Sequence, residues 1–81
     1  MTREEIVKIV NGFLVDEFEI EENLLKENAS FLKDLGIDSL DIVDIVVAVE
    51  KNFGFKMKTE EVKTIKTLAD FYDYILKKVN E

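Results

Sequence analysis

Apolar residues recur at helical spacing in three stretches of the chain. Ile6, Ile9, Val10, Phe13 and Leu14 follow a capping box made by Thr2 and Glu5, and predict a first helix over about 3–15. Gly12 weakens that helix slightly. Asp38, with Asp41 three residues on, is set to cap a second helix over about 39–52. Gly54 is placed to end it in a left-handed conformation. Thr59 is the expected cap of a short third helix at about 60–64. Thr67 and Asp70 open the last helix, where Leu68, Phe71, Tyr72, Ile75, Leu76 and Val79 form one stripe. Lys77 and Lys78 suit its C-terminal end.

Residues 16–37 carry no sustained period, beyond a short helical turn expected at about 21–25. So long a loop must be pinned to the core, and Ile20, Leu24, Leu25, Phe31, Leu32, Leu35 and Ile37 are the expected pins. The predicted fold is therefore all-α, a small four-helix bundle. It has three main helices, one short third helix and a long loop between helices one and two. Eighty-one residues without a linker or repeat make one domain, 1–81.

The second helix has two apolar faces. With Ser39 at zero and roughly 100° per residue, Ile42, Ile45, Val46, Val49 and Phe53 occupy one sector of about 240–340°. Leu40, Val43 and Val47 fall at about 40–100°, beside Asp41 and Asp44. Two readings of that second stripe stand side by side. It docks a partner with a basic rim, or the long loop folds over it.

Charge narrows the partners. The net charge is −7. Residues 1–44 hold 4 basic and 12 acidic side chains, and residues 45–81 hold 7 basic and 6 acidic, so the acidic field belongs to the first half. Nucleic acid is an unfavourable partner for such a surface, and a basic protein is a favourable one. The chain has no cysteine and no histidine. Disulfides, thiolate metal sites and the commonest general base are absent, and the acids do not follow calcium-loop spacing. No apolar run approaches the roughly 18 residues of a membrane span, and the start MTREEIVK does not read as a signal peptide. The cytoplasm is the expected compartment.

Ser39 stands in the first turn of the second helix. As a plain helix-start residue it needs no further role. As a catalytic nucleophile it lacks a histidine base, a lysine could serve only in principle, and Asp38 and Asp41 beside it disfavour an alkoxide, so the pattern argues against a self-contained hydrolase. As a substrate for another enzyme it sits where a helix N-terminus favours a phosphate group and the neighbouring aspartates oppose it, so the two effects compete. Phosphorylation and phosphodiester attachment satisfy this physics equally.

The run Phe31-Leu32-Lys33-Asp34-Leu35-Gly36-Ile37-Asp38-Ser39-Leu40-Asp41, with the apolar second helix and Phe53-Gly54, strongly resembles the signature of acyl carrier proteins. The resemblance extends from the N-terminal helix to Asp73-Tyr74-Ile75. It implies a non-enzymatic carrier that holds acyl groups as thioesters on 4′-phosphopantetheine attached to Ser39. The arm would come from coenzyme A through a Mg²⁺-dependent phosphopantetheinyl transferase. It further implies a partner-binding face at Asp38, Leu40, Asp41, Val43, Asp44, Val47 and Glu50. This face would be met by acyl-transfer and chain-elongation enzymes of fatty-acid or related lipid and polyketide synthesis. An acyl-chain pocket is implied at Phe31, Val46, Val49, Met57, Val62 and Ile65. The chain departs from the pattern at Phe55-Lys56-Met57-Lys58, Lys63, Lys66 and Lys51, where many members are acidic. That departure keeps open an amino acid or specialised acid as cargo in a dedicated pathway. An unmodified helical adaptor is the reading from outside the carriers. A monomer is expected.

Overall fold

The computed structural model describes all of residues 1–81. Four α-helices follow in chain order: α1 (Arg3–Asp16), α2 (Ser39–Phe53), α3 (Thr59–Thr64) and α4 (Leu68–Val79). A single 3₁₀ turn, Glu22–Leu24, interrupts the long connection between α1 and α2. The all-α bundle expected from the pattern is the fold observed, with the short helix third.

Local chemistry explains most boundaries. Thr2, Asp38 and Thr67 each accept a backbone N–H three residues on, and Glu5, Asp41 and Asp70 return the bond to the cap's own N–H. Three of the helices therefore begin with reciprocal caps, which satisfy otherwise orphan donors. The start of α3 corrects the expectation. Its N-cap is Lys58, whose N–H donates to Glu61 Oε1 at 3.0 Å, and Thr59 is already the first helical residue. The acid at the third helical position supplies the returning half of a capping box, to the cap's own N–H, and no side chain supplies the half expected of a threonine hydroxyl.

One core of 19 buried residues holds the elements together, and no buried side-chain polar atom lacks a hydrogen-bond partner. Ile6, Val10, Phe13 and Leu14 of α1 pack toward Leu68, Phe71, Tyr72 and Ile75 of α4, while α3 lies against α2. Phe31 and Phe71 stack with ring centroids 4.5 Å apart. At the rim, Arg3 pairs with Glu27 and Asp73, tying α1 to the loop and to α4.

The long loop is pinned largely where expected. Ile20, Phe31, Leu35 and Ile37 are buried, and Leu25 and Leu32 are half-buried. Leu24 is 41% exposed and pins nothing, because the 3₁₀ turn faces it outward. Backbone bonds do the remaining work. Phe31 N–H donates to Lys66 carbonyl at 2.9 Å, Leu68 N–H to Ala29 carbonyl at 3.0 Å, and Ala69 N–H to Glu27 carbonyl at 3.0 Å. The loop is thus stitched to the entrance of α4 across a single antiparallel bridge, Ser30 with Thr67. No helix is long and apolar enough to cross a membrane.

Candidate functional site

The segment that delivers Ser39 is built by a tight turn. Ser30 N–H donates to Asp34 Oδ2 at 2.7 Å, and Ile37 N–H donates to Leu32 carbonyl at 2.9 Å. Between them Gly36 takes φ +69°, a left-handed conformation that a side chain would strain. Leu35 and Ile37, on either side, are buried. They anchor the turn, and the chain then runs extended through Asp38 into α2. The Asp34-Leu35-Gly36 signature is therefore the mechanical base of the site.

Ser39 is the first residue of α2 and is exposed. Asp38 Oδ1 accepts the N–H groups of both Leu40 and Asp41 at 3.0 Å, and Asp41 Oδ2 accepts Asp38 N–H at 3.3 Å. Two consequences follow. The aspartates are committed to capping the helix and do not engage the Ser39 hydroxyl, which has no partner in the protein. The amides of Leu40 and Asp41 are also spent, so a phosphate on Ser39 would meet only Ser39's own N–H in the first turn. Of the two competing effects, the helix end thus has little left to offer the anion. The attachment chemistry fits through accessibility of the hydroxyl, and the phosphodiester is left to water.

The second apolar stripe of α2 is uncovered. Leu40, Val43 and Val47 are 78%, 54% and 57% exposed, so the long loop does not fold over them. Asp38, Asp44 and Glu50 are exposed beside them and Asp41 is partly so. None of the protein's three ion pairs involves α2. The helix thus shows solvent an apolar strip with an unneutralised acidic margin. A cleft of about 210 Å³ adjoins the strip, between Asp44, Val47, Ala48 and Lys51 of α2 and Glu17 and Phe18. The opposite side of α2 is core: Ile42, Ile45, Ala48 and Val49 are buried, with Val46 and Phe53 half-buried. Ala48 was absent from the expected face because, at about 180° on the same wheel, it lies outside the sector of about 240–340°.

Of the six expected pocket positions, Val46 and Val49 stand on α2, Met57, Val62 and Ile65 in or beside α3, and Phe31 in the long loop, stacked on Phe71 of α4. Phe31, Val49, Met57, Val62 and Ile65 are buried and Val46 is half-buried. None of them lines any of the five clefts of the surface, so here they pack as closed core.

A residue set missed by the pattern lies beyond them. The Tyr74 hydroxyl donates to Glu61, whose other oxygen holds Lys58 N–H. These bonds, first that to Tyr74, hold the Glu61 carboxyl below its ordinary range, and burial pushes Tyr74 up to about 12. Tyr74 had registered only as part of a C-terminal resemblance, since a tyrosine on an α4 flank gives no local sign of a partner 13 residues away. No three acids converge as a metal site.

A protein-family profile described as Phosphopantetheine attachment site matches residues 9–75. Over 74 residues, covering 91% of this chain and 90% of the relative, the sequence is 45% identical to a protein of Zymomonas mobilis named Acyl carrier protein. A protein of the same name from Thermotoga maritima is 37% identical over 78 residues, 96% of each chain. Another, from Lactobacillus acidophilus, is 35% identical over 75 residues, 93% of this chain and 94% of the relative. With the Gly36 turn, the capped exposed serine and the uncovered acidic helix in place, these likenesses establish that the chain belongs to the acyl carrier protein family.

Proposed function

We propose that Ser39 carries the 4′-phosphopantetheine arm on which this chain bears acyl groups as thioesters for the enzymes of fatty-acid synthesis. The single observation that supports the site is the exposed Ser39 hydroxyl, free of any protein partner, at the start of a helix already capped by Asp38. Membership of the family makes the chain a carrier and not an enzyme, with 4′-phosphopantetheine as its covalent cofactor. The arm supplies the thiol, which suits a protein that has no cysteine of its own. Incubation with coenzyme A and a phosphopantetheinyl transferase is expected to add one phosphopantetheine per chain by intact mass. Equal modification of Ser39→Ala would refute the site.

In this reading the whole stretch 1–81 is one carrier domain, monomeric and cytoplasmic. Asp38, Leu40, Asp41, Val43, Asp44, Val47 and Glu50 form the docking face for the transferase and for acyl-transfer and elongation enzymes. The uncovered stripe and its acidic margin support this, since apolar contact supplies affinity while charge steers the encounter. Phe31, Val46, Val49, Met57, Val62 and Ile65 shelter the acyl chain when α2 and α3 separate. Each methylene taken from water gains about 0.8 kcal/mol, so six gain roughly 5.

A dedicated set of partners and a specialised cargo form the second reading. It is favoured by Lys51, Lys56, Lys58, Lys63 and Lys66, all exposed and none in an ion pair. Loading of the arm-bearing protein only by an amino-acid adenylating enzyme would select it.

A further inference from the structure

Helix α3 is six residues long and rests on two unlike supports. The first is apolar: Val62 is fully buried, and Met57 and Ile65 on either side of the helix are buried as well. The second is polar and runs to α4, not to α2. Glu61 holds Lys58 N–H at 3.0 Å through one oxygen and takes the Tyr74 hydroxyl with the other. Tyr74 is itself held in place. Its ring lies 6.3 Å from that of Phe55, in the segment leading to α3, and Lys78 Nζ lies 5.8 Å from its centroid.

The two supports differ in what cargo does to them. The α2–α3 interface is closed, so an acyl chain entering it must displace Met57, Val62 or Ile65. The bond to Tyr74 lies on the α4 side and survives that displacement. Once cargo is inside, it holds the body of α3, while the Phe31 N–H bond to the Lys66 carbonyl holds only the chain just past its end. A hydroxyl bonded to a carboxylate is among the stronger neutral-to-charged bonds. It therefore restrains a helix too short to hold its own shape.

We infer that Tyr74 is a positioning residue that tethers α3 through Glu61 and so limits the length of acyl chain the α2–α3 interface admits. The inference rests on the pocket reading given above. Tyr74 touches no cargo; it acts by setting how far α3 can swing.

Two measurements test it. The first is amide hydrogen exchange on the unmodified protein. Tyr74→Phe keeps the ring contacts and loses the bond, and residues 58–65 should exchange about three- to tenfold faster. Glu61→Gln keeps an acceptor for the hydroxyl and should fall between Tyr74→Phe and the parent. Tyr72→Phe removes a comparable hydroxyl bond, to Asn11 of α1, and should leave 58–65 unchanged. Unchanged exchange at 58–65 in Tyr74→Phe, or an equal effect of Tyr72→Phe, overturns the tether.

The second loads the arm with straight acyl chains of increasing length and follows thioester cleavage by hydroxylamine. Protection in the parent should rise with length and level off, and in Tyr74→Phe it should level off at a longer chain. The same plateau in both proteins overturns the limit on length. A parent that protects no chain at all overturns the pocket reading and the limit with it, while the exchange experiment still decides the tether.

Discussion

Asp38 caps α2 directly beside the serine proposed as the attachment site. Its carboxylate takes the N–H groups of Leu40 and Asp41, so its removal unseats two donors at the start of α2. Asp38→Ala should cost about 1 kcal/mol, within the roughly 0.5–2 kcal/mol range of lost caps, read from the urea midpoint. Ser39→Ala should stay within about 0.5 kcal/mol, because its hydroxyl bonds nothing. That contrast separates an anchor for a modification from a structural residue. The Glu61–Tyr74 pair gives a second prediction, in pH. Glu61 lies below its ordinary value of 4.5, chiefly through the Tyr74 bond and then the Lys58 N–H, with Lys58 and Lys78 adding attraction. A depressed carboxyl adds stability that is present above the unfolded value and is lost as pH falls through the folded one. Tyr74 is raised from 10 to about 12, first by burial and then by the Glu61 bond, with the charges of Glu61 and Glu81 behind. Its contribution is complete below 10 and is lost as pH rises through about 12. The tie should therefore be flat between about pH 5 and 10 and weaken on both sides. Tyr72 is raised to about 12 as well, mainly by burial. Ultraviolet titration of the folded protein should thus show neither phenol ionising near its ordinary value. Ionisation of Tyr74 near 10 in the folded protein, told apart from Tyr72 in the Tyr72→Phe variant, would contradict the tie.

Among the elements, α2 bears the most conflicting demands. One side is core, so Ile45→Ala, which empties a fully buried position, should cost about 2–5 kcal/mol in urea unfolding. The other side is exposed, so Leu40→Ala and Val43→Ala should change stability by no more than about 0.5 kcal/mol. The same two variants should lower kcat/KM for arm transfer by about tenfold, equivalent to about 1.4 kcal/mol of docking energy. A loss of stability that tracked the loss of transfer would make the stripe structural instead. Much of this was legible in the order of residues, because capping and helical period are local. Thr2-Glu5, Asp38-Asp41 and Thr67-Asp70 each announce a helix start, and Gly54 at φ +78° ends α2 as expected. The geometry of the candidate site was legible for a related reason: Gly36, Asp38 and Ser39 lie within one short stretch of the chain. What the pattern could not supply depends on contacts between distant segments. Whether the stripe is covered depends on where residues 17–37 travel. That path is fixed by backbone bonds from Phe31 to Lys66 and from Leu68 to Ala29, which carry no side-chain signal. Leu24 and Thr59 misled for the opposite reason, since each has the right residue type at a place where the backbone had another solution.

At the scale of the whole molecule, charge sets two opposed dependences on salt. The net charge is −7, the first 44 residues carry the acidic excess, and there are three ion pairs to offset it. The molecule measures 30 × 24 × 21 Å. At 0.01 M ionic strength the screening length is about 30 Å, so every charge interacts with every other across the fold. At 1 M it is about 3 Å, and only touching groups interact. Self-repulsion opposes the compact state, so added salt should stabilise the fold. Docking has the opposite sign. In the proposed docking, the acidic margin of Asp38, Asp41, Asp44 and Glu50 attracts a basic partner over several ångströms of water, and salt removes that attraction. Urea unfolding is the suitable probe of the first effect, because urea is uncharged and leaves ionic strength free to vary. The midpoint should rise steadily with sodium chloride from 0.01 to about 0.5 M with its slope m unchanged. Over the same range kcat/KM for arm transfer should fall by roughly ten- to a hundredfold, mostly through the encounter step. Asp44→Asn should repeat both trends in miniature at low salt, with a higher midpoint and slower transfer, and should differ little from the parent at high salt. Folding and docking falling together with salt would mean that the acidic residues stabilise the bundle through pairs of their own, and the acidic margin of α2 would then lose its role as a steering surface.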